Sequence, residues 1–366
     1  MKILWLSWKD RDHPQAGGAE TVSGEIMDRL VRDGHEVTLL TARYAGASVQ
    51  AVKNGVKIYR DGNRYTVYLK ARSLYKRELR DWPDLIIDEM NTLPFASGFY
   101  GKTKSVLLCY QLAREVWLYQ MPAPLSWIGY ATEPFILRAL SNKYRITATE
   151  SESTKKDLEL YGFKNVFTFR VGMELPPLSS LRLKKKSNVV LSLGSIRPMK
   201  RTLHAVKAFE VARDQNSDLR MIIAGDKSGA YAKKVINYSE HSRHAAAIEI
   251  LGRISTAEKL ELMRSADIIV VTSVKEGWGL IVTEANSQGT PAVGYDTDGL
   301  RDSIRDGSTG LLSPDGDFTA MGNNIVAILS DKETYNSLRT AGWKWSKEFT
   351  FENSYEDFLS IMKKDL

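Results

Sequence analysis

The stretch DIIVVTSVKEGWGLIVTEANSQGTPAVGYD, residues 267–296, decides the fold class. DIIVVTS is a continuous apolar run, the pattern of a parallel strand covered by helices on both faces. The glycine-bearing KEGWG then reads as a loop, GLIVTEANSQG as a helix, and PAVGYD as the next strand. Strand, loop, helix and strand in one short stretch make a parallel crossover unit.

Upstream, VVLSLGS (189–195), HAVKAFEVARD (204–214), LRMIIAGD (219–226) and AEKLELMRSA (257–266) continue the same alternation, which predicts a doubly wound parallel sheet. The N-terminus repeats the pattern. KILWLS (2–7) reads as a buried strand, and residues 20–32 carry Val22, Ile26, Met27 and Leu30 at helical spacing. Gly34 and His35 end that helix, and EVTLLTA (36–42) is the next strand. VKIYR, DLIIDE, SVLLCY and YRITATE supply more. FRVGMELPPLSSLRLKKKSN (169–188), with two prolines and a lysine run, reads as a solvated connector. The expected division is therefore a first domain over 1–170, a linker over 171–187 and a second domain over 188–345. A C-terminal helix over 346–366, with Tyr355, Phe358, Leu359 and Met362 on one stripe, is expected to pack back toward the first domain.

With 366 residues, 43% hydrophobic and 26% charged, the chain has the composition of a two-domain globular protein. Its single cysteine, Cys109, rules out an intramolecular disulfide and a cysteine cluster for zinc, so a cytoplasmic setting is the simplest expectation. In MKILWLSWKDRDH, Lys9 interrupts the apolar run before a signal-peptide core is complete, so the start is read as an uncleaved strand. A net charge of +7 favours acidic partners. No zinc-finger, RRM-like or basic-zipper signature accompanies it, so nucleic acid is not an expected partner.

The chemistry is concentrated in KEGWGLIVTE. Gly277 and Gly279 permit close backbone approach, and the N–H groups opening the helix near Leu280 suit a bound anion such as a diphosphate. Glu284, one turn further, has the geometry to accept hydrogen bonds from ribose hydroxyls, and Glu276 from sugar hydroxyls. The alternative is a solvated helix carboxylate and a strand-end cap. Gly17 and Gly18, in the loop after the first strand, lie where open α/β sheets bind ligands. Glu20 suits a helix N-terminal cap. In GSIRPMKR, Arg197, Lys200 and Arg201 follow a strand and suit the neutralisation of phosphate. The triplet Asp296, Thr297 and Asp298 stands at a turn, so no metal site is assigned to it.

Glu276 and Glu284 resemble the E-x7-E signature of the family 4 glycosyltransferases. GGAETVSGEIMDRLVRDGHEVTLLT (17–41), LGSIRPMKRTLHAVKAFE (193–210) and DSIRDGSTGLL (302–312) occur in that family's order, so the resemblance covers essentially the whole chain. It implies the GT-B fold, two Rossmann-like doubly wound parallel-sheet domains facing across a cleft. It also implies a retaining glycosyltransferase that moves a sugar from a nucleotide diphosphate sugar to a hydroxyl of a glycan, glycolipid or small-molecule acceptor. No cofactor or metal is implied, because the donor is the substrate.

Carried over residue by residue, the resemblance assigns Arg197, Lys200 and Glu276 to the catalytic centre. Donor binding falls to Gly17, Gly18, Ser195, Arg253, Ile254, Gly277, Trp278, Gly279, Leu280 and Glu284. Many relatives carry arginine directly after the glycine where this chain has Ser195. The family's N-domain histidine is missing from VLLCYQLAREVW (106–117), which leaves Tyr110, Gln111 and Arg114 for the acceptor side, with His13 in the first loop.

VWLYQMPAPLSWIGYATEPFIL (116–137) has Glu133 as its one charge. Pro122, Pro124 and Pro134 are expected to break it, so it is not a spanning helix. A membrane-facing or acceptor-binding loop and an interior helix pair both fit, and the former would put the protein at the inner face of a membrane. The competing functions are a silent sugar-nucleotide-binding protein and a nucleotide-sugar epimerase of the same fold. A dehydrogenase is disfavoured because no G-x-G-x-x-G follows the first strand. The sequence leaves the sugar, the base and the oligomeric state open.

Overall fold

The computed structural model describes residues 1–181 and 187–364. Residues 182–186 of the expected linker and the last two of the expected C-terminal segment lie outside the described residues. The chain forms two compact units. The first comprises Met1–Trp117, Pro124–Gly172 and the segment from Thr350 on; the second comprises Leu118–Ala123 and Met173–Phe349.

The first unit is built on an eight-stranded sheet: β1 (Lys2–Leu6), β2 (Glu36–Thr41), β3 (Gln50–Lys53), β4 (Val56–Arg60), β5 (Leu85–Met90), β6 (Lys104–Cys109), β7 (Ile146–Thr149) and β8 (Val166–Thr168). Their spatial order is β3-β4-β2-β1-β5-β6-β7-β8, and every pairing is parallel except β3 with β4. The central strands are apolar because both faces are covered; Ile3, Leu4, Trp5 and Leu6 are all fully buried. The helix Gly18–Arg32 buries Val22, Ser23, Ile26, Met27 and Leu30, and its acid Glu20 in the first turn and Arg29 and Arg32 in the last complement its dipole.

The second unit carries a six-stranded, wholly parallel sheet: β9 (Val189–Leu193), β10 (Arg220–Ala224), β11 (Ile248–Gly252), β12 (Ile268–Val271), β13 (Ala292–Tyr295) and β14 (Gly310–Ser313). They are ordered β11-β10-β9-β12-β13-β14. Alternate residues of one strand feed opposite cores: Val190 packs with Phe209, Met221 and Ile325, and Leu191 with Ile269, Val282 and Leu300. Both sheets reverse their winding beside their first strand, between β1 and β5 and between β9 and β12. These are the switch points at which open α/β sheets take ligands.

The helix Phe351–Lys363 belongs to the first unit. Phe358 stacks on Trp5 at 5.7 Å, and Asp357 takes both Arg170 Nε and Nη2 at 2.7 Å. Part of the expected linker is packed rather than solvated: Leu178 donates its N–H to Ser287 O (3.0 Å) and accepts Trp343 Nε1 (2.8 Å).

Pro134 does not break its segment. It lies inside the helix Leu125–Ser141. A proline removes the N–H that would reach the carbonyl four residues back, here Tyr130. That carbonyl accepts Arg114 Nη1 instead, at 3.0 Å.

Candidate functional site

The carboxyl ends of β9 and β12 are adjacent, so the segments that follow them meet. Thr272 Oγ1 donates to Lys200 O (2.7 Å) and Arg201 O (3.1 Å), and Val274 N–H to Met199 O (2.9 Å). The loop after β12 thereby fixes the short turn Pro198–Lys200 that follows β9. Lys200 Nζ forms an ion pair with Glu276 Oε1, which also accepts Ser273 Oγ at 2.5 Å. Burial acts to raise the Glu276 carboxyl, but Lys200 and the Ser273 hydroxyl overcome it and hold the group below the usual carboxylate range. A carboxylate fixed on a cation beside a glycine loop can orient hydroxyls, and the cation can meet a developing negative charge.

The loop carrying Glu276 is held from the other side by the Asp296–Asp298 turn. Glu276 N–H donates to Asp298 O (3.0 Å), and the buried Lys275 pairs with Asp298 at 2.7 Å. Arg301 takes Asp296 at 2.6 Å and Asp298 at 2.9 Å. Gly299 crosses so closely that a Cβ there would lie 2.3 Å from Glu276 O, and its φ of +77° also favours glycine. Among the described residues no three His, Cys, Asp or Glu side chains are grouped to hold a metal.

Gly279, with φ +92°, caps the helix Leu280–Ser287. Glu284 sits one turn in, buried, and pairs with Lys259 at 2.6 Å. Burial raises its carboxyl despite that lysine. Trp278 turns its indole inward, to within 5.0 Å of Phe349 and 5.9 Å of Trp345, with Nε1 on Thr283 Oγ1. Its side chain is therefore part of the core. Ser195 and Arg197 are exposed on the turn after β9; the Arg197 charge acts on Glu276, and Arg201 is taken by Asp315 at 2.5 Å. Arg253 is exposed and pairs with Asp226 at 2.8 Å, next to the half-buried Ile254.

In the first unit, the Gly17 N–H is donated to Glu20 Oε2 at 2.6 Å. Glu20 thus does act as the helix cap, and Lys9 pairs with its other oxygen at 3.0 Å. Gly18 opens the helix. His13 Nδ1 accepts the Gln15 N–H, and burial followed by the Lys9 charge lowers its pKa.

Tyr110 is buried and its hydroxyl meets Ser23 Oγ at 2.7 Å. Arg114 is tied to the Tyr130 carbonyl and stacked on that ring at 4.4 Å, while Gln111 is half-buried. Two groups were missed by sequence reasoning. Glu133 accepts the N–H groups of Ala113 (2.8 Å) and Arg114 (2.6 Å) and Trp117 Nε1 (3.0 Å), so it shapes the loop after β6. Glu89, fully buried at the end of β5, accepts Trp5 Nε1 (2.9 Å), Ser7 Oγ (3.0 Å) and Ser23 Oγ (2.8 Å). Burial, with the Glu20 charge adding to it, raises the Glu89 carboxyl to about 7.

Residues 16–169 match the model of glycosyltransferase family 4, and residues 178–345 match that of the glycosyl transferases group 1. D-inositol 3-phosphate glycosyltransferase of Nocardia farcinica is 26% identical over 271 residues, covering 64% of this chain and 57% of that protein. The chain spans about half the length of such relatives. Sucrose-phosphate synthase of Thermosynechococcus elongatus superimposes with a TM-score of 0.79 at 18% identity, covering 99% of this chain and 98% of that one. Anabaena HepE, solved in complex with UDP-glucose, does so with a TM-score of 0.72 at 15% identity, covering 100% of both chains. Two matching family models along one chain, over two sheets of Rossmann order, relate it to the group 1 and family 4 glycosyltransferases and give it their GT-B fold.

Proposed function

We propose that the chain is a retaining transferase that takes a sugar from a nucleotide diphosphate sugar bound on the second unit and passes it to a hydroxyl acceptor. The observation that carries this reading is the Lys200–Glu276 ion pair at the β9/β12 switch point, beside the start of the helix Leu280–Ser287. A diphosphate fits the N–H groups at Leu280 and Ile281, and Glu284 suits a ribose. The fold's occurrence in a protein solved with UDP-glucose supports the donor class.

In this reading Glu276 orients the sugar while Lys200 and Arg197 stabilise the leaving diphosphate as the C1–O bond breaks. The acceptor oxygen bonds to C1 on the face the diphosphate leaves, and its proton passes to a donor phosphate oxygen. No protein nucleophile is required. Incubation with a panel of nucleotide sugars, followed by proton NMR of the released or transferred sugar, tests it. Retention of the donor's anomeric configuration is expected. Inversion, or sugar isomerised without release or transfer, would overturn it.

A further inference from the structure

The helix Leu125–Ser141 is built the wrong way round for the surface of a protein in water. Its buried side takes Ser126, Glu133, Leu137, Leu140 and Ser141, whereas Trp127 is 65% and Phe135 71% exposed, with Leu125, Ile128 and Ile136 also on the outside. Positions 128, 131, 132, 135 and 139 follow helical spacing, and Ile128, Ala131, Thr132, Phe135 and Ala139 all face outward. Scattered exposed apolar residues need no explanation, but a contiguous helix face does.

Charge singles out the partner. Between Pro124 and Ser151 the acids are Glu133 and Glu150, both buried, whereas Arg138, Lys143 and Arg145 are exposed. Glu133 is drawn inward by the main chain of Ala113 and Arg114, which keeps the outer face free of carboxylate. Arg138 lies over Tyr161, and in that neighbourhood Lys164 is exposed against one exposed acid, Glu159. Aromatic and aliphatic side chains bordered by cations match an anionic lipid surface, where apolar insertion and electrostatic attraction act together. Among the described residues no helix is long and apolar enough to cross a membrane, so the contact would be interfacial.

We propose that the outer face of the helix Leu125–Ser141 docks the protein on an anionic membrane surface, with Trp127, Ile128 and Phe135 entering the headgroup region and Arg138, Lys143 and Arg145 facing the lipid charge. The proposal is independent of the transfer chemistry. Sedimentation with vesicles of phosphatidylcholine alone, and with about one third phosphatidylglycerol, tests it. The wild-type chain should bind the anionic vesicles at least tenfold more tightly. Trp127→Ser/Phe135→Ser should weaken that binding at least tenfold, as should Arg138→Ser/Lys143→Ser, with unchanged circular dichroism because these side chains are exposed. Three results would each overturn the proposal: no vesicle binding at low salt, full binding by the Trp127→Ser/Phe135→Ser variant, or a dimer in sedimentation that this variant abolishes. The last would assign the face to a second copy of the chain.

Discussion

Glu89 and Glu276 stand at corresponding places, each at the carboxyl edge of a parallel sheet beside its switch point, one per unit. Their surroundings treat them in opposite ways. Glu89 is enclosed by an indole and two hydroxyls, and burial with the nearby Glu20 charge lifts it to about 7. Glu276 meets Lys200 and is held low. One fold thus offers the same ledge twice: burial and the Glu20 charge raise the carboxyl at one, while Lys200, the Ser273 hydroxyl and the Arg197 charge lower it at the other. This contrast supports the proposal that donor chemistry belongs to the second ledge, while the first positions the first loop and Tyr110.

The largest expected effect tests that division. Glu276→Gln should lower turnover by about 10²- to 10³-fold, the loss typical of removing one preorganised stabiliser, while the chain stays folded. Glu89→Gln should leave turnover within about tenfold. Equal losses in steady-state assays of both variants would break the comparison.

Stability against pH sharpens it. The Glu89 proton is bound more tightly in the folded chain, so its contribution is present below the unfolded carboxyl pKa and is lost as pH rises through about 7. The span is on the order of 3 kcal/mol at most. Glu276 contributes with the opposite sign: its stabilisation is present above the unfolded pKa and is lost as pH falls through its depressed folded value. Denaturant midpoints between pH 5 and 8 should flatten in Glu89→Gln. An unaltered slope would show that Glu89 titrates normally.

The sequence made the second ledge legible and the first almost illegible. DIIVVTS and KEGWGLIVTE announce strand, loop and helix because a twice-covered parallel strand is apolar throughout and a close turn needs glycine. In DLIIDE, by contrast, Asp88 and Glu89 look like any strand-end acids. Their partners come from far along the chain: Tyr144 for Asp88, Trp5 and Ser23 for Glu89. The tie of Arg114 to Tyr130 is equally hidden, because it depends on a carbonyl freed by Pro134 sixteen or more residues along the chain. The edge strands QAVK and IEILG leave little signal because they are short and only half-buried, with no continuous apolar run.

A smaller effect is expected at Glu284. Glu284→Ala should weaken donor binding by roughly 1 to 3 kcal/mol in calorimetry, through loss of charge-assisted hydrogen bonds. Unchanged affinity in a folded variant would remove Glu284 from the ribose site and leave it as the partner of Lys259. The smallest expected effect is that of a chelator. Asp296 and Asp298 are occupied by Arg301 and Lys275, so transfer should proceed in excess EDTA. Activity lost to EDTA and restored by magnesium or manganese would give those carboxylates a different role.

Lys200 is the residue on which leaving-group stabilisation most depends, and Lys200→Ala tests this most directly when turnover at saturating donor is measured beside donor affinity by calorimetry. The positive charge is needed most as the diphosphate departs, so turnover should fall about 100-fold or more while affinity falls less. Near-normal turnover in that variant would contradict the assignment and move the stabilising charge to Arg197.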